Sequence, residues 1–403
     1  MPRAPRASVL LAALLLLTAC GGSGTPRAST PSSSASSSAT HSSPPSSSAP
    51  ASTSAAPSGP DAVVAAALAR MDTRARVAQL FVVGVPLTGL GAGDALVEQG
   101  VGGVFLAGRS TVSASALAQT TGQWVGEAPG PRPWVATDME GGLVQTLSGP
   151  GFGRFPTAVA QGRLPAGQLA SVAGNLGAAL HSAGITLDLA PVADVVPAGT
   201  ESTNAPIGRF DRQYGSTPAQ VEAAAGTVVD GLAAHRVTST VKHFPGLGRV
   251  TANTDTTAGV TDPVTTAADP SVTLFGTLAA RPAAPMVMVS LAIYSRIDGT
   301  QPAAFSPAVV TGLLRGQLHY AGPVVSDDLG MATAVTAVAP GDRAIRFIGA
   351  GGTLVLTVVP ALLGPMIDAV TARVAADPAF AAQVDAAVRT DLLAKLRAGL
   401  LTG

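Results

Sequence analysis

The stretch Gly322-Pro-Val-Val-Ser-Asp-Asp-Leu-Gly330 places two apolar residues directly before three polar residues and a closing glycine. The two valines predict a short buried strand, whereas the serine and the aspartates have side chains that rarely lie in an apolar core. In a barrel built from alternating strands and helices, the active site forms where the strands end. Asp327 is therefore a candidate catalytic carboxylate, provided that the rest of the chain supplies such a barrel.

Apolar runs of strand length recur eight times along the chain, separated by Ala-rich segments with a helical pattern, such as Pro218–His235 and Ala361–Ala376. The runs are nearly continuous rather than alternating, which is typical of strands buried on both faces. Alternating strands and helices predict a parallel sheet, and eight such units in about 300 residues predict a single-domain α/β fold, a closed (β/α)8 TIM barrel. The predicted strands are Leu80–Val85, Gly103–Ala107, Trp134–Thr137, Thr186–Val192, Val237–Lys242, Met286–Ser290, Val324–Ser326 and Thr353–Thr357.

An open doubly wound sheet is the alternative fold for this pattern. No G-x-G-x-x-G follows the first predicted strand, which argues against a dinucleotide-binding sheet. We find no metal-ligand cluster and no phosphate-binding loop in the sequence, so we expect neither a metal nor a cofactor. The net charge of +0 gives no basic surplus, which argues against nucleic acid as a partner.

The first 59 residues predict export and tethering rather than folded structure. Residues 1–20 have a positively charged start, a short apolar run and small residues before Cys20, the only cysteine. This arrangement is typical of a secretory signal. It also resembles a bacterial lipobox, in which the cysteine becomes lipidated; an ordinary cleaved signal is the alternative. Residues 21–59 are almost entirely Ser, Thr, Pro, Ala and Gly and predict a disordered linker. The folded domain is expected at 60–403, outside the cytoplasm on a membrane lipid anchor.

Charged side chains follow several of the predicted strands, although charged residues make up only 12% of the chain. The strand ends of a barrel meet at one face, so we expect these side chains to converge on one pocket. They are Arg109, Asp138, Glu140, Asp194, Lys242, His243, Asp327 and Asp328.

Two of these groups stand in glycine-containing turns. One segment is Val241-Lys-His-Phe-Pro-Gly-Leu-Gly248, and the other is Trp134-Val-Ala-Thr-Asp-Met-Glu-Gly-Gly142. Lysine and histidine donate hydrogen bonds, and a carboxylate accepts them, so the combination suits the hydroxyl groups of a sugar. Phosphate is the alternative ligand for the Lys-His pair.

Together these segments resemble bacterial glycoside hydrolase family 3, in particular its β-N-acetylglucosaminidases that act on cell-wall sugars. The resemblance extends through Leu187-Asp-Leu-Ala-Pro-Val-Ala-Asp194 and Arg212-Gln-Tyr-Gly215. It implies a retaining mechanism in which Asp327 attacks the anomeric carbon and forms a glycosyl-enzyme. It also implies that the hydroxyl groups of the sugar are held by Asp138, Arg212, Lys242 and His243. Ionised Lys242 and Arg212 are expected to keep Asp327 deprotonated.

One part of the family pattern is missing. In that branch, the loop after Lys-His-Phe-Pro-Gly carries an Asp-Ser-His element, whose histidine is the general acid/base. Here Asn253 stands at the position of the aspartate and Asp255 at the position of the histidine. The next histidine along the chain after His243 is His319, which is predicted to lie on the helix before the seventh strand, away from the site.

The pattern also departs after the Asp138 segment. The family usually has arginines there, whereas this chain has Leu143 and Thr146, which are expected to alter the edge of the pocket.

Three hypotheses follow from the missing histidine. Asp255 is the acid/base of a conventional carboxylate pair, or another carboxylate supplies the proton, or the barrel has lost turnover and serves as a tethered glycan-binding or sensing protein. The function favoured by the sequence is a monomeric retaining glycoside hydrolase for β-linked sugars, with terminal N-acetylglucosamine of cell-wall glycans as the expected substrate. The exact sugar and linkage stay open.

Overall fold

A computed structural model describes residues 59–402 of the chain. Cys20, the predicted signal at 1–20 and all of the predicted linker except Gly59 lie outside the described residues. Eight parallel strands form one sheet, which confirms the predicted barrel. Their bounds are β1 Phe81–Pro86, β2 Gly103–Ala107, β3 Trp134–Thr137, β4 Leu187–Asp188, β5 Thr238–Phe244, β6 Met286–Val289, β7 Val324–Ser326 and β8 Val355–Thr357.

The sheet closes on itself through β8. On one side β8 pairs with β1, with Phe81 opposite Val355. On the other side the chain just before β8 meets β7, where the Leu354 N–H donates to the Val324 carbonyl at 2.9 Å and Val325 lies opposite Leu354. The open doubly wound alternative is therefore wrong.

Helices alternate with the strands and cover the outside of the barrel, as expected for parallel strands. Within residues 59–402, no helix is both long enough and apolar enough to cross a membrane. The helix at Ala308–Gln317 is wound with π-type hydrogen bonding. The α-helices are α1 Pro60–Ala69, α2 Thr73–Ala78, α3 Ala92–Glu98, α4 Ala114–Glu127, α5 Ala158–Gln161, α6 Ala166–Ser182, α7 Pro218–Ala233, α8 Pro270–Ala279, α9 Pro340–Gly349, α10 Leu363–Ala376 and α11 Pro378–Arg397.

Several helices begin at a polar cap followed by proline, which explains why they start where they do. The Thr217 hydroxyl caps α7, and the Asp377 carboxylate caps α11. His319 does not lie on a helix, contrary to the prediction. The helix before β7 ends at Gln317, and His319 stands in the following turn with a φ of 54°.

The strands are apolar on both faces because each face packs against a different layer. Trp134, Met288 and Leu356 belong to the cluster that fills the barrel interior. Their strand neighbours Val135 and Val287 belong to the larger cluster between the sheet and the helices. Successive side chains of these strands are therefore buried alternately in the barrel interior and beneath the helices. Burial on both faces accounts for the continuous apolar runs in the sequence.

The C-terminal helix α11 closes the amino-terminal end of the barrel with a buried polar network. The Asp391 carboxylate accepts a hydrogen bond of 2.8 Å from the Trp134 indole N–H. Its other oxygen lies 3.5 Å from the ammonium of Lys395, and both side chains are completely buried. Lys395 also donates to the Gln79 side-chain oxygen at 2.8 Å. These contacts fix α11 across the barrel end opposite the strand ends that carry Asp327.

We predict that Asp391→Ala will destabilise the domain, because it leaves the buried ammonium of Lys395 without its counter-ion and the indole N–H of Trp134 without its acceptor. The expected loss is about 3–5 kcal/mol in the free energy of unfolding, measured by urea denaturation. A double variant, Asp391→Ala with Lys395→Met, removes the uncompensated charge and should recover part of that loss. Equal destabilisation in the single and double variants would contradict this account.

Candidate active site

A cavity of about 310 Å³ opens at the carboxyl ends of the strands, as the barrel architecture predicts. Apolar side chains from β2, β6 and β8 form one wall of it: Phe105, Met288 and Leu356. The six side chains to which the sequence assigned a catalytic or sugar-binding role line this cavity: Asp138, Arg212, Lys242, His243, Asp255 and Asp327. Asp328 also lines it, whereas Arg109, Glu140 and Asp194, which were expected to converge on it, do not.

Asp327 stands directly after β7, with its backbone tied into the barrel. Its N–H donates to the Val289 carbonyl at 3.0 Å, and its carboxylate accepts from the Asp328 N–H at 2.8 Å. Burial raises the pKa of Asp327 to about 6, with His243 acting against the rise and the nearby negative charge of Asp255 adding to it.

This electrostatic arrangement corrects one expectation. Lys242 and Arg212 were predicted to keep Asp327 ionised, but the main positive influence on Asp327 is His243, and the pKa of Asp327 still lies above its usual range. Lys242 and Arg212 are engaged by other carboxylates.

Asp328 shapes the turn that presents Asp327. One of its carboxylate oxygens accepts from the Gly330 N–H at 2.8 Å and from the Val358 N–H at 3.0 Å. The other oxygen accepts from the Met331 N–H at 2.9 Å. The second aspartate of the Ser-Asp-Asp-Leu segment therefore joins the turn after β7 to the end of β8.

Glu140 organises the cationic side of the cavity, a role that the sequence did not reveal. Its side chain is only 2% exposed. It accepts two hydrogen bonds from the Arg212 guanidinium, at 2.7 and 2.8 Å, and it lies 2.7 Å from the Lys242 ammonium. Burial alone would raise the pKa of Glu140, but the charges of Arg212 and Lys242 lower it to about 2. Glu140 is therefore a permanent anion beneath the cavity.

Asp138 is the partner of Lys242 that reaches the cavity. Its carboxylate lies 2.7 Å from the ammonium of Lys242, and its side chain is 28% exposed. Burial acts to lower the pKa of Lys242, yet Asp138 and Glu140 hold that pKa above its usual range. Both cations of the cavity floor are thus ionised and held in fixed positions before any ligand binds.

Asp188 is a second buried carboxyl group that sequence reasoning missed. It lies on β4, and one oxygen accepts from the Met139 N–H at 3.0 Å. Burial raises the pKa of Asp188 to about 8, and the neighbouring charges of Asp138 and Glu140 add to the rise. Asp188 is therefore protonated at neutral pH, which limits its repulsion with the carboxylates of Asp138 and Glu140. An apolar context, Leu187-Asp-Leu189, was the only signal of its burial in the sequence.

The Lys-His-Phe-Pro-Gly segment forms the tight turn that the sequence predicted. The peptide bonds Lys242–His243 and Phe244–Pro245 are cis. The Tyr294 hydroxyl donates to the Gly246 carbonyl at 2.9 Å. A side chain at Gly248 would be impossible without movement, because its Cβ would stand 1.8 Å from the Val195 carbonyl oxygen.

The loop after β5 carries Asp255 and is fastened to the loop after β7. The Ala334 N–H donates to the Thr254 carbonyl at 3.0 Å, and the Thr333 N–H donates to the Asp255 carbonyl at 3.1 Å. The Thr333 hydroxyl also donates to the Asp255 carbonyl, at 2.9 Å. Asn253 accepts a hydrogen bond from the Asp255 N–H through its side chain. The loop is therefore closed toward the turn of Asp327, and the Asp255 side chain remains exposed.

Three residues near the predicted pocket edge do not line the cavity. Leu143 is exposed. Thr146 is buried, and its N–H donates to the Asp138 carbonyl. Arg109 donates to the carbonyl of Leu143 and braces the loop after β3. The expectation that Leu143 and Thr146 alter the pocket edge is therefore wrong. Met331, which is exposed, and Val358 stand at that edge instead.

A TIM barrel with two carboxylates facing a cavity, and with a floor of fixed hydrogen-bonding side chains, has the architecture of a glycosidase. Comparison with known proteins agrees. The family model of the glycosyl hydrolase family 3 N terminal domain matches residues 72–390. This chain belongs to that family, and it is a glycosidase.

Several relatives are similar to this chain over most of their length. The beta-hexosaminidase LpqI of Mycobacterium tuberculosis is 33% identical over 383 residues, which cover 91% of each chain. A beta-hexosaminidase of Xanthomonas campestris pv. campestris is 30% identical over 73% of this chain and 88% of its own. The crystal structure of a beta-N-acetylhexosaminidase from Beutenbergia cavernae superposes with a TM-score of 0.76 at 46% identity, covering 81% of this chain and 99% of that one.

We predict that Asp327→Asn will stabilise the domain above pH 6. In the folded state the pKa of Asp327 is raised from 3.8 to about 6. The free energy of unfolding therefore falls as the pH rises from about 4 to 6, because ionisation is less favourable in the folded state than in the unfolded state. Asparagine avoids that cost, and the expected gain at pH 7 is about 1–3 kcal/mol. Thermal unfolding at pH 7 and at pH 3.5 measures it, because the gain should vanish at the lower pH. A gain of equal size at both values would show that charge is not its cause.

Proposed function

We propose that this protein is a retaining β-N-acetylhexosaminidase in which Asp327 is the nucleophile and Asp255 is the general acid/base. The observation that carries the proposal is the position of Asp255. It lines the same cavity as Asp327, its negative charge acts on Asp327, and its loop is fastened to the loop that carries the nucleophile. Two carboxylates at one cavity supply both groups that a retaining mechanism needs.

In the first chemical step, Asp327 attacks the anomeric carbon while Asp255 gives its proton to the departing glycosidic oxygen. In the second step, Asp255 takes a proton from water, and that water opens the glycosyl-enzyme. The shorter side chain of aspartate is compatible with this role because the closed loop brings its backbone to the cavity. A binding protein has no use for a nucleophile, so the retention of Asp327 supports turnover over glycan sensing.

The floor of the cavity supports sugar binding. Asp138 is the exposed acceptor, and Lys242, Arg212 and His243 are donors for hydroxyl groups. Since Glu140 and Asp138 already hold the cations in place, binding orders few additional side chains. We take all of these groups to come from one chain, so the proposed enzyme works as a monomer.

The proposed substrate is a terminal, β-linked N-acetylglucosamine of a cell-wall glycan. The names of the relatives support an N-acetylhexosamine, and the predicted linker and the lipobox-like Cys20 support a place outside the cytoplasm, anchored to the membrane. We expect Cys20→Ser in the full chain to move the protein from the detergent-rich to the aqueous phase on phase separation. Retention of the variant in the detergent phase would contradict the anchor at Cys20.

The nucleophile and the acid/base can be separated by their response to azide. We expect Asp327→Ala to abolish hydrolysis of aryl β-N-acetylglucosaminides, and azide to restore turnover with an α-glycosyl azide as product. We expect Asp255→Ala to lower kcat/KM for a disaccharide 10²–10⁴-fold. The loss should be far smaller with an activated nitrophenyl glycoside, because its leaving group needs no proton. Azide should then give a β-glycosyl azide. Undiminished activity of Asp255→Ala on the disaccharide would exclude Asp255, and saturable sugar binding without any turnover by the unaltered protein would favour the sensing alternative.

The pH profile follows from the state of the nucleophile. Asp327 attacks as a carboxylate, and its pKa is raised to about 6. We therefore expect kcat/KM to increase with pH up to about 6 and to fall about tenfold for each unit below it. Initial rates at low substrate concentration test this. An acid limb near pH 4 would contradict the assignment.

A further inference from the structure

Asn204, in the loop after β4, has no part in the mechanism above, yet its side chain is buried behind the cavity wall. Its side-chain oxygen accepts hydrogen bonds from the Ile207 N–H at 3.1 Å and the Gly208 N–H at 2.7 Å. Its N–H₂ group donates to the carbonyls of Leu247 and Val250, both at 2.8 Å. An asparagine amide has two hydrogens to donate and two lone pairs to accept with, so every hydrogen-bonding position of Asn204 is used.

The oxygen of Asn204 supports the turn that holds Arg212. Within that turn, the Pro206 carbonyl accepts from the Arg212 guanidinium at 2.8 Å. The Ile207 carbonyl accepts from the Arg212 N–H at 3.2 Å. Pro206 and Arg212 both line the cavity. The acceptor half of the Asn204 amide therefore stabilises, from outside the cavity, the segment that places one of its cations.

The N–H₂ group of Asn204 holds the start of the loop after β5. Leu247 lines the cavity, and its N–H donates to the buried Asp194 carboxylate at 2.6 Å. Further along the same loop, the Asp255 carbonyl accepts from the N–H and the hydroxyl of Thr333. The loop is thus fastened at two points. Its start is bound to the loop after β4, and the segment at Asp255 is bound to the loop after β7.

The two bonds from the Asn204 N–H₂ group are the hydrogen-bonded link between the loop of Arg212 and the loop of Asp255. Within residues 59–402, no other hydrogen bond joins residues 200–215 to residues 246–260. A proton donor must be aligned with the glycosidic oxygen of a sugar that is already held in place, and small displacements of such groups are costly to the rate.

We propose that Asn204 is a positioning residue, whose N–H₂ group sets the place of the Asp255 loop relative to the sugar that Arg212 helps to hold. This inference rests on the proposed roles of Asp255 and Arg212. It assigns to a buried amide outside the cavity the alignment of the acid/base with the bond that it cleaves.

The test uses Asn204→Asp and Asn204→Ser in the full-length protein. Both variants keep an oxygen that can accept from the N–H groups of Ile207 and Gly208. Neither can donate to both carbonyls of the β5 loop, because aspartate lacks the N–H₂ group and serine is too short to reach. We expect kcat/KM for an N-acetylglucosamine disaccharide to fall about tenfold more than kcat/KM for the nitrophenyl glycoside, since only the disaccharide needs the aligned proton donor.

Two controls separate alignment from a general loss of structure. Asp391→Asn, at the opposite end of the barrel, also alters a buried polar side chain, and it should leave the ratio of the two kcat/KM values unchanged. Asn204→Ser combined with Asp255→Ala should show the same ratio as Asp255→Ala alone, because both changes act through one carboxylate. Thermal unfolding shows which variants are folded.

An unchanged ratio in a folded Asn204 variant overturns the inference, as does an equal change of the ratio in Asp391→Asn or a further change in the double variant. Failure of the proposed function would look different, because Asp255→Ala would then hydrolyse the disaccharide at an undiminished rate.

Discussion

The structure of the active-site end of the barrel depends on the neutralisation of one buried carboxylate, that of Glu140, by two cations. Glu140 lies beneath the cavity with almost no exposure, and it is bound by the guanidinium of Arg212 and the ammonium of Lys242. An isolated ion in that position would cost many kcal/mol, and each of these three depends on the others for its charge. The network fixes the loop after β3, the loop after β4 and the end of β5 relative to one another. The donors for a ligand are therefore in place before the ligand arrives.

Asp327 differs from Glu140, because no pair of cations neutralises its carboxylate to the same degree. Its neighbours Asp255 and Asp328 are carboxylates, and burial raises its pKa. Burial therefore costs stability at Asp327, the proposed nucleophile, whereas Arg212 and Lys242 keep Glu140 ionised. A nucleophile that is poorly satisfied in the free enzyme gains more when it forms a bond to an electron-poor carbon. Strained or destabilised groups are typical of functional sites for this reason.

The barrel and four of the cavity side chains, Asp138, Lys242, His243 and Asp327, could be predicted from local patterns in the sequence. Arg212 and Asp255 were assigned from the family resemblance. Apolar runs of strand length predict strands, and polar residues directly after them, such as Lys242 and Asp327, predict the face where they meet. What could not be predicted is which side chain partners which. Glu140 stands two residues after Asp138, and nothing local shows that Asp138 reaches the cavity while Glu140 lies beneath it. The same holds for Leu143 and Thr146, whose positions beside a motif suggested the pocket edge although neither side chain lines the cavity.

The loop after β5 shows how one fold can accommodate a changed catalytic group. A general acid/base must reach the glycosidic oxygen, and aspartate is shorter than the histidine that the family places there. A shorter side chain can do the same work only if the backbone stands closer to the substrate. In this chain the backbone of Thr254 and Asp255 is held beside the loop that carries Asp327 by hydrogen bonds from Thr333 and Ala334. The loops that carry the two proposed catalytic carboxylates are therefore joined through hydrogen bonds to main-chain carbonyl groups.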